Sequence, residues 1–248
     1  MVDLPKKKVG IVSCSGEELP EGTVTRLAAL KVLEDLRPAE TVTICLPLFL
    51  AGGEGDRAFA KFYPTIAVDG CELHCASRAT ELYSSKPAAT VMVRDLVAEK
   101  GLGRPEGKRR LNAAGLQAVE AVAERMAVLV DELLDEGWDR STGSFVNKLD
   151  DSQDPERGDE IGKVATCSCG SGIPVQKVEI EGRDVSLIAL PLILEQFQKA
   201  GKPISNQTGR ELLEAARIYN PIPDTAEEKY QNAILETYSA FCSHGVKE

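Results

Sequence analysis

Residues 8–16 read K-V-G-I-V-S-C-S-G, a short apolar run that stops at a cysteine set between two serines. Val9, Ile11 and Val12 follow one another too closely for the alternation of a half-solvated strand, so Lys8–Ser13 reads as a strand buried in a sheet. Outward from it the pattern repeats. Thr23–Leu36 carries a helical apolar stripe, and Thr41–Leu46 (T-V-T-I-C-L) is a second strand. Asp56–Phe62 is a short helical segment and Thr65–Val68 a third strand. Glu72–Ser84 can form a helix, Ala89–Val93 a fourth strand, and Leu111–Glu136 a long helix with apolar residues at helical spacing from Leu116 to Leu134. Strands alternating with helices require crossover connections. The expected fold class is therefore α/β, a parallel sheet with helices on both faces, of the flavodoxin or Rossmann kind.

After Asp139 the alternation lapses. The run D-D-S-Q-D-P-E-R-G-D-E (Asp150–Glu160) has no apolar face, so residues 139–165 read as an acidic linker between a first domain, 1–138, and a second, 166–248. It lacks the regular ligand spacing of a calcium loop. The second unit opens with a hairpin signal, Val175–Ile180 and Val185–Leu190 around E-G-R-D (Glu181–Asp184). Helices are expected near Leu192–Ala200, Thr208–Tyr219 and Ala226–Phe241, giving a small α+β C-terminal unit.

The 248 residues are 43% hydrophobic and 27% charged, an ordinary balance for globular domains with an aliphatic core. A net charge of −10 argues against nucleic acid as a partner, since phosphate binding needs a basic surface. No stretch approaches the roughly 20 apolar residues of a membrane helix, so no membrane partner is expected. The lysines of Met1–Lys8 lead into a strand rather than a cleavable apolar run, which points to the cytoplasm.

Seven cysteines in such a chain call for a reason other than disulfides. Four of them fall at strand ends. Cys14 closes the first strand, Cys45 lies near the end of the second ahead of Pro47, and Cys71 follows the third in V-D-G-C, with Cys75 four residues on. In parallel sheets ligands collect beyond the carboxyl ends of the strands, so all four thiols face one rim. If the third helix starts at Glu72, Cys71 and Cys75 share one face of its first turn, where the helix dipole favours thiolate. Gly16 and Gly70 would let the backbone turn sharply there. Four thiolates suit tetrahedral zinc and equally an iron–sulfur cluster. The spacing lacks the paired C-x-x-C knuckles of a zinc ribbon. A redox or nucleophilic thiol, and plain buried cysteines, remain alternatives at this point.

These same residues, S-C-S-G after the first strand, a cysteine ending the second and D-G-C-E-L-H-C-A (Asp69–Ala76), resemble the DGC domain, a family named for that tripeptide and inferred to bind zinc. The resemblance spans about residues 8–100. It implies a four-cysteine metal site at Cys14, Cys45, Cys71 and Cys75 and says nothing of the second unit.

Other chemistry is sparser. C-S-C-G-S-G (Cys167–Gly172) offers a C-x-C pair that could chelate a soft metal, cycle as a dithiol, or be a turn with incidental cysteines. Cys242 and His244 could complete a second site with Cys167 and Cys169. Two histidines limit acid–base schemes, and His74 reads as a group behind the ligands, a spare ligand, or a solvent-facing residue. Asp69 could orient a cysteine backbone, activate a substrate, or simply form a turn. Gly52, Gly53 and Gly55 could cradle a phosphate or only make a turn. Arg78 misses the C-x5-R spacing of a phosphatase loop, and no nucleotide-binding glycine motif is present. The reading is a cytoplasmic zinc-binding protein. Its rivals are an iron–sulfur or dithiol redox protein, and an accessory protein with a structural zinc whose C-terminal domain binds a protein partner.

Overall fold

The computed structural model describes residues 6–16, 18–146 and 173–244. They divide into two compact units, one built on residues 7–138, the other on residues 173–244 with 139–142. The first unit holds four parallel strands: β1 (Val9–Ser13), β2 (Thr41–Thr43), β3 (Thr65–Asp69) and β4 (Ala89–Met92), in the order β2-β1-β3-β4. Gly10 of β1 pairs with Val42 of β2 on one side and Thr65 of β3 on the other. β3 pairs with β4 from Ile66↔Ala89 to Asp69↔Met92.

Between the strands run α1 (Pro20–Lys31, continued by a π-helical turn Val32–Leu36), α2 (Leu46–Ala51), α3 (Glu54–Arg57), α4 (Phe59–Phe62) and α5 (Cys75–Tyr83). α6 (Val93–Glu99) and α7 (Ala113–Asp135) follow. Successive strand residues point to opposite faces. Val9, Ile11, Ile66 and Val68 pack with Val24 and Ala28 of α1 and Val122, Met126 and Val130 of α7. Val12 and Ala67 pack with Phe49 of α2, Phe59 of α4 and Ala76 of α5. Both faces are covered, which is why β1 reads as a continuous apolar run. Each fully buried large side chain in these layers contributes about 1.5–3 kcal/mol.

Two boundaries differ from the sequence reading. β2 stops at Thr43, because Pro47 sits in the first turn of α2, where its missing N–H costs nothing. β4 yields at Val93 directly to α6. Residues at the start of the expected linker are ordered: β5 (Trp138–Asp139) pairs with β6 (Ser144–Phe145). The Trp138 indole N–H donates to the Lys61 carbonyl at 2.9 Å. Residues 147–165 lie outside the described residues.

In the second unit β7 (Val175–Ile180) and β8 (Arg183–Ile188) form an antiparallel hairpin. Its two-residue turn has positive φ at Glu181 (53°) and Gly182 (76°), the twist a tight hairpin needs. α8 (Leu190–Lys199), α9 (Asn206–Arg217) and α10 (Glu227–His244) follow, and Leu190, Ile193, Leu212, Leu213, Tyr219 and Tyr238 are buried. Arg140 donates to the Tyr219 hydroxyl at 3.1 Å. Among the described residues no helix is long and apolar enough to cross a membrane.

Candidate metal centre

Strand order decides where the thiols go. β1 lies between β2 and β3, so the carboxyl ends that precede Cys14, Cys45 and Cys71 belong to three adjacent strands. From β1 the chain steps first to β2 and later to β3 on the other side. The crevice beyond β1 and β3 is thus a topological switch point, the usual ligand position in open parallel sheets. Cys14 and the segment Cys71–Cys75 border that crevice. Cys45, exposed, stands one strand further out at the start of α2.

Cys14 continues the ladder, its N–H donating to the Val68 carbonyl at 2.9 Å. The Gly70 N–H donates to its sulfur at 3.4 Å, and the Thr25 hydroxyl lies 3.6 Å from it. Thr25 spends its own proton on the Gly22 carbonyl (2.8 Å), so toward Cys14 and the Ser15 N–H (3.2 Å) it is an acceptor. Two glycines permit this closeness. A Cβ on Gly22 would stand 1.9 Å from the Gly16 carbonyl oxygen, and one on Gly70 would stand 2.9 Å from the Glu21 carbonyl carbon. Gly70 therefore serves a backbone–backbone approach. Gly16 has open space around it.

The third helix begins at Cys75, three residues later than the sequence suggested. Asp69, 2% exposed at the end of β3, accepts from the N–H groups of Ala76 (2.7 Å) and Ser77 (3.0 Å) and from the Ser77 hydroxyl (2.6 Å). This carboxylate caps α5 from outside the local chain and fixes where its first free N–H groups point. Cys71–Leu73 is left as a turn, closed by His74 N–H to the Cys71 carbonyl at 3.1 Å. His74 takes a left-handed conformation (φ 52°) and is exposed. Cys71 and Cys75 hence do not share a first helical turn. The tripeptide Asp69-Gly70-Cys71 has one task per residue: helix cap, close approach, thiol.

Residues 10–123 match the DGC domain family. No curated protein and no solved structure matches the chain. The match covers Cys14, Cys45, Cys71 and Cys75 and ends within α7; the second unit lies outside it.

Within the matched segment, burial and nearby charge act together on the Cys75 thiol. The Cys75 thiol is pushed up by partial burial, then by the negative charge that Cys14, Asp69 and Cys71 can present to it. Cysteine thiols are soft donors, so the donor chemistry of this rim fits zinc. As they stand, no three His, Cys, Asp or Glu side chains among the described residues are gathered closely enough to grip a metal ion. The thiols share a rim without forming a closed shell.

Sequence reasoning missed Arg94 and Glu21. Arg94, just past β4, reaches Glu21 at the start of α1 (3.3 Å) and Glu72 in the Cys71–Cys75 turn. Glu72 is held below the usual carboxylate range by its own backbone N–H and by Arg94. An arginine at a strand's carboxyl end was the available signal. The glycine loop at Gly52–Gly55 is occupied by its own residue, Asp56 accepting from the Gly53 N–H at 3.1 Å. For the suggested second site, Cys167 and Cys169 lie outside the described residues. Cys242 stands beside Tyr238, whose hydroxyl is pushed up to about 12 by burial and by Cys242. His244 ends α10.

Proposed function

We propose that the DGC domain makes this chain a cytosolic metal-binding protein that holds zinc through Cys14, Cys45, Cys71 and Cys75. The observation that carries this reading is the strand order, which sets three cysteine-bearing strand ends side by side at the rim of one sheet. Four thiolates are the donor set of a closed, structural zinc site rather than a catalytic one with an open position. When bound, zinc supplies a cross-link between strand ends, and its binding free energy becomes folding free energy of the first unit. The protein's own contribution is positioning: Asp69 anchors the start of α5, and Gly70 N–H meets Cys14.

The test is purification of the full chain under anaerobic, chelator-free conditions, with elemental analysis and a visible spectrum. Colourless protein with about one zinc per chain is expected. A brown, iron- and sulfide-containing protein would replace zinc with a cluster at the same thiols. Metal-free protein would contradict the reading.

A further inference from the structure

Beside the thiol rim, the carboxyl end of β4 opens into a cleft of about 420 Å³ lined by Glu21, Arg94, Val97, Leu102, Arg104 and Pro105. We propose that this cleft binds a small organic oxyanion, a carboxylate or phosphate carried on a short apolar body, between Arg94 and Arg104. The inference concerns a different set of residues from the zinc reading and does not rest on it.

The two guanidinium groups are prepared differently. Arg94 has two carboxylate partners of unequal grip: the Glu21 side chain is 9% exposed, whereas that of Glu72 is 75% exposed. The solvent-facing partner contributes little to holding the pair. An incoming oxyanion displaces Glu72 while Glu21 keeps the guanidinium in place. Arg104 has no carboxylate partner among the described residues, and only its backbone carbonyl is engaged.

The loop that presents Arg104 is fixed in advance. Asn112 donates to the Arg104 carbonyl (3.2 Å), accepts from the Glu106 N–H (3.2 Å) and caps α7 through the Gly115 N–H (2.7 Å). The Thr23 hydroxyl donates to the Lys108 carbonyl, and Lys108 pairs with Glu18 at 3.1 Å, so the loop is tied to the α1 side of the rim. Ordering done before a ligand arrives is not charged against its affinity. The stretch R-P-E-G-K-R-R (residues 104–110) carries four cations against one acid in a chain of net charge −10. Its field draws anions to this edge. Val97 and Leu102 pack on the core and Pro105 is buried, so the wall between the two arginines is apolar and rigid.

Isothermal titration calorimetry of the full chain at low ionic strength, with butyrate, acetate and inorganic phosphate as probes, tests this. At least one of butyrate and phosphate is expected to bind at a single site. Butyrate binding tighter than acetate and phosphate would identify a carboxylate on an apolar chain; phosphate binding tightest would identify a phosphoryl group. Arg104→Gln should weaken the better probe about tenfold or more, as loss of a charge-assisted hydrogen bond does. Arg104→Lys should recover only part of that, because the guanidinium fork is lost. Glu72→Gln should tighten binding, and Glu132→Gln, which changes the same charge at the far end of α7, should not. Absence of single-site binding by every probe, affinity indifferent to Arg104→Gln, or equal effects of Glu72→Gln and Glu132→Gln would overturn the proposal.

Discussion

Asp69→Asn removes one charge and adds almost no volume, which isolates what the carboxylate does. In the native protein its two oxygens accept from Ala76 N–H, Ser77 N–H and the Ser77 hydroxyl at 2.7, 3.0 and 2.6 Å, in a residue only 2% exposed. Asparagine keeps one oxygen for Ala76. Its amide group must then face the Ser77 N–H, donor against donor. The Ser77 hydroxyl can rotate to accept, but the backbone N–H cannot. Loss of a hydrogen bond to a charged group costs about 1.5–3 kcal/mol, and an unsatisfied buried donor lies at the upper end of that range. We expect a loss of about 2–3 kcal/mol, which for a unit of this size lowers Tm by about 10 °C. Thermal unfolding followed by circular dichroism measures it. A companion titration with a chromophoric chelator should show zinc held about tenfold less tightly, since groups that orient ligands commonly contribute that much. An Asp69→Asn protein that melts within a degree or two of the parent would refute the cap. Unchanged zinc retention with a lowered Tm would separate the cap from the metal site.

Met126, fully buried between α7 and the sheet, should cost about 2–5 kcal/mol as Met126→Ala, read as a lower urea midpoint at unchanged slope. Gly22→Ala drives a methyl group into the Gly16 carbonyl and should destabilise by about 1–3 kcal/mol or more, visible in the same experiment. In metal-free protein the raised Cys75 thiol carries less thiolate at any given pH than an ordinary cysteine. Its iodoacetamide reaction, followed by peptide mapping, should therefore shift to higher pH than in the unfolded chain. Coincident profiles would mean that neither burial nor the charge of Cys14, Asp69 and Cys71 bears on it.

Much of the first unit was legible because its signals are local. Apolar runs marked β1, β3 and β4, the helical stripe marked α7, and the cysteine positions relative to strand ends marked the rim. What escaped depended on partners distant in sequence. The start of α5 is set by a carboxylate seven residues before its first acceptor contact, so helical periodicity placed it too early. Val93 extends the apolar run of β4 and disguised the start of α6. Arg94 meets Glu21 across 73 residues, a pairing that no spacing rule reveals. The end of β2 was readable in principle, since Pro47 is a helix-start signal as well as a strand breaker. The order β2-β1-β3-β4 has no local signature at all, yet it is what makes the strands that precede Cys14 and Cys71 neighbours.

The most direct test of the metal centre is X-ray absorption at the zinc edge on the full chain, alongside Cys14→Ser, Cys45→Ser, Cys71→Ser and Cys75→Ser. The four-cysteine site predicts a first shell of sulfur at about 2.3 Å in the parent protein. Each serine variant should lose zinc or exchange one sulfur for a lighter ligand. A parent protein without bound metal, a first shell of nitrogen and oxygen alone, or a Cys71→Ser protein with its sulfur shell intact would contradict it.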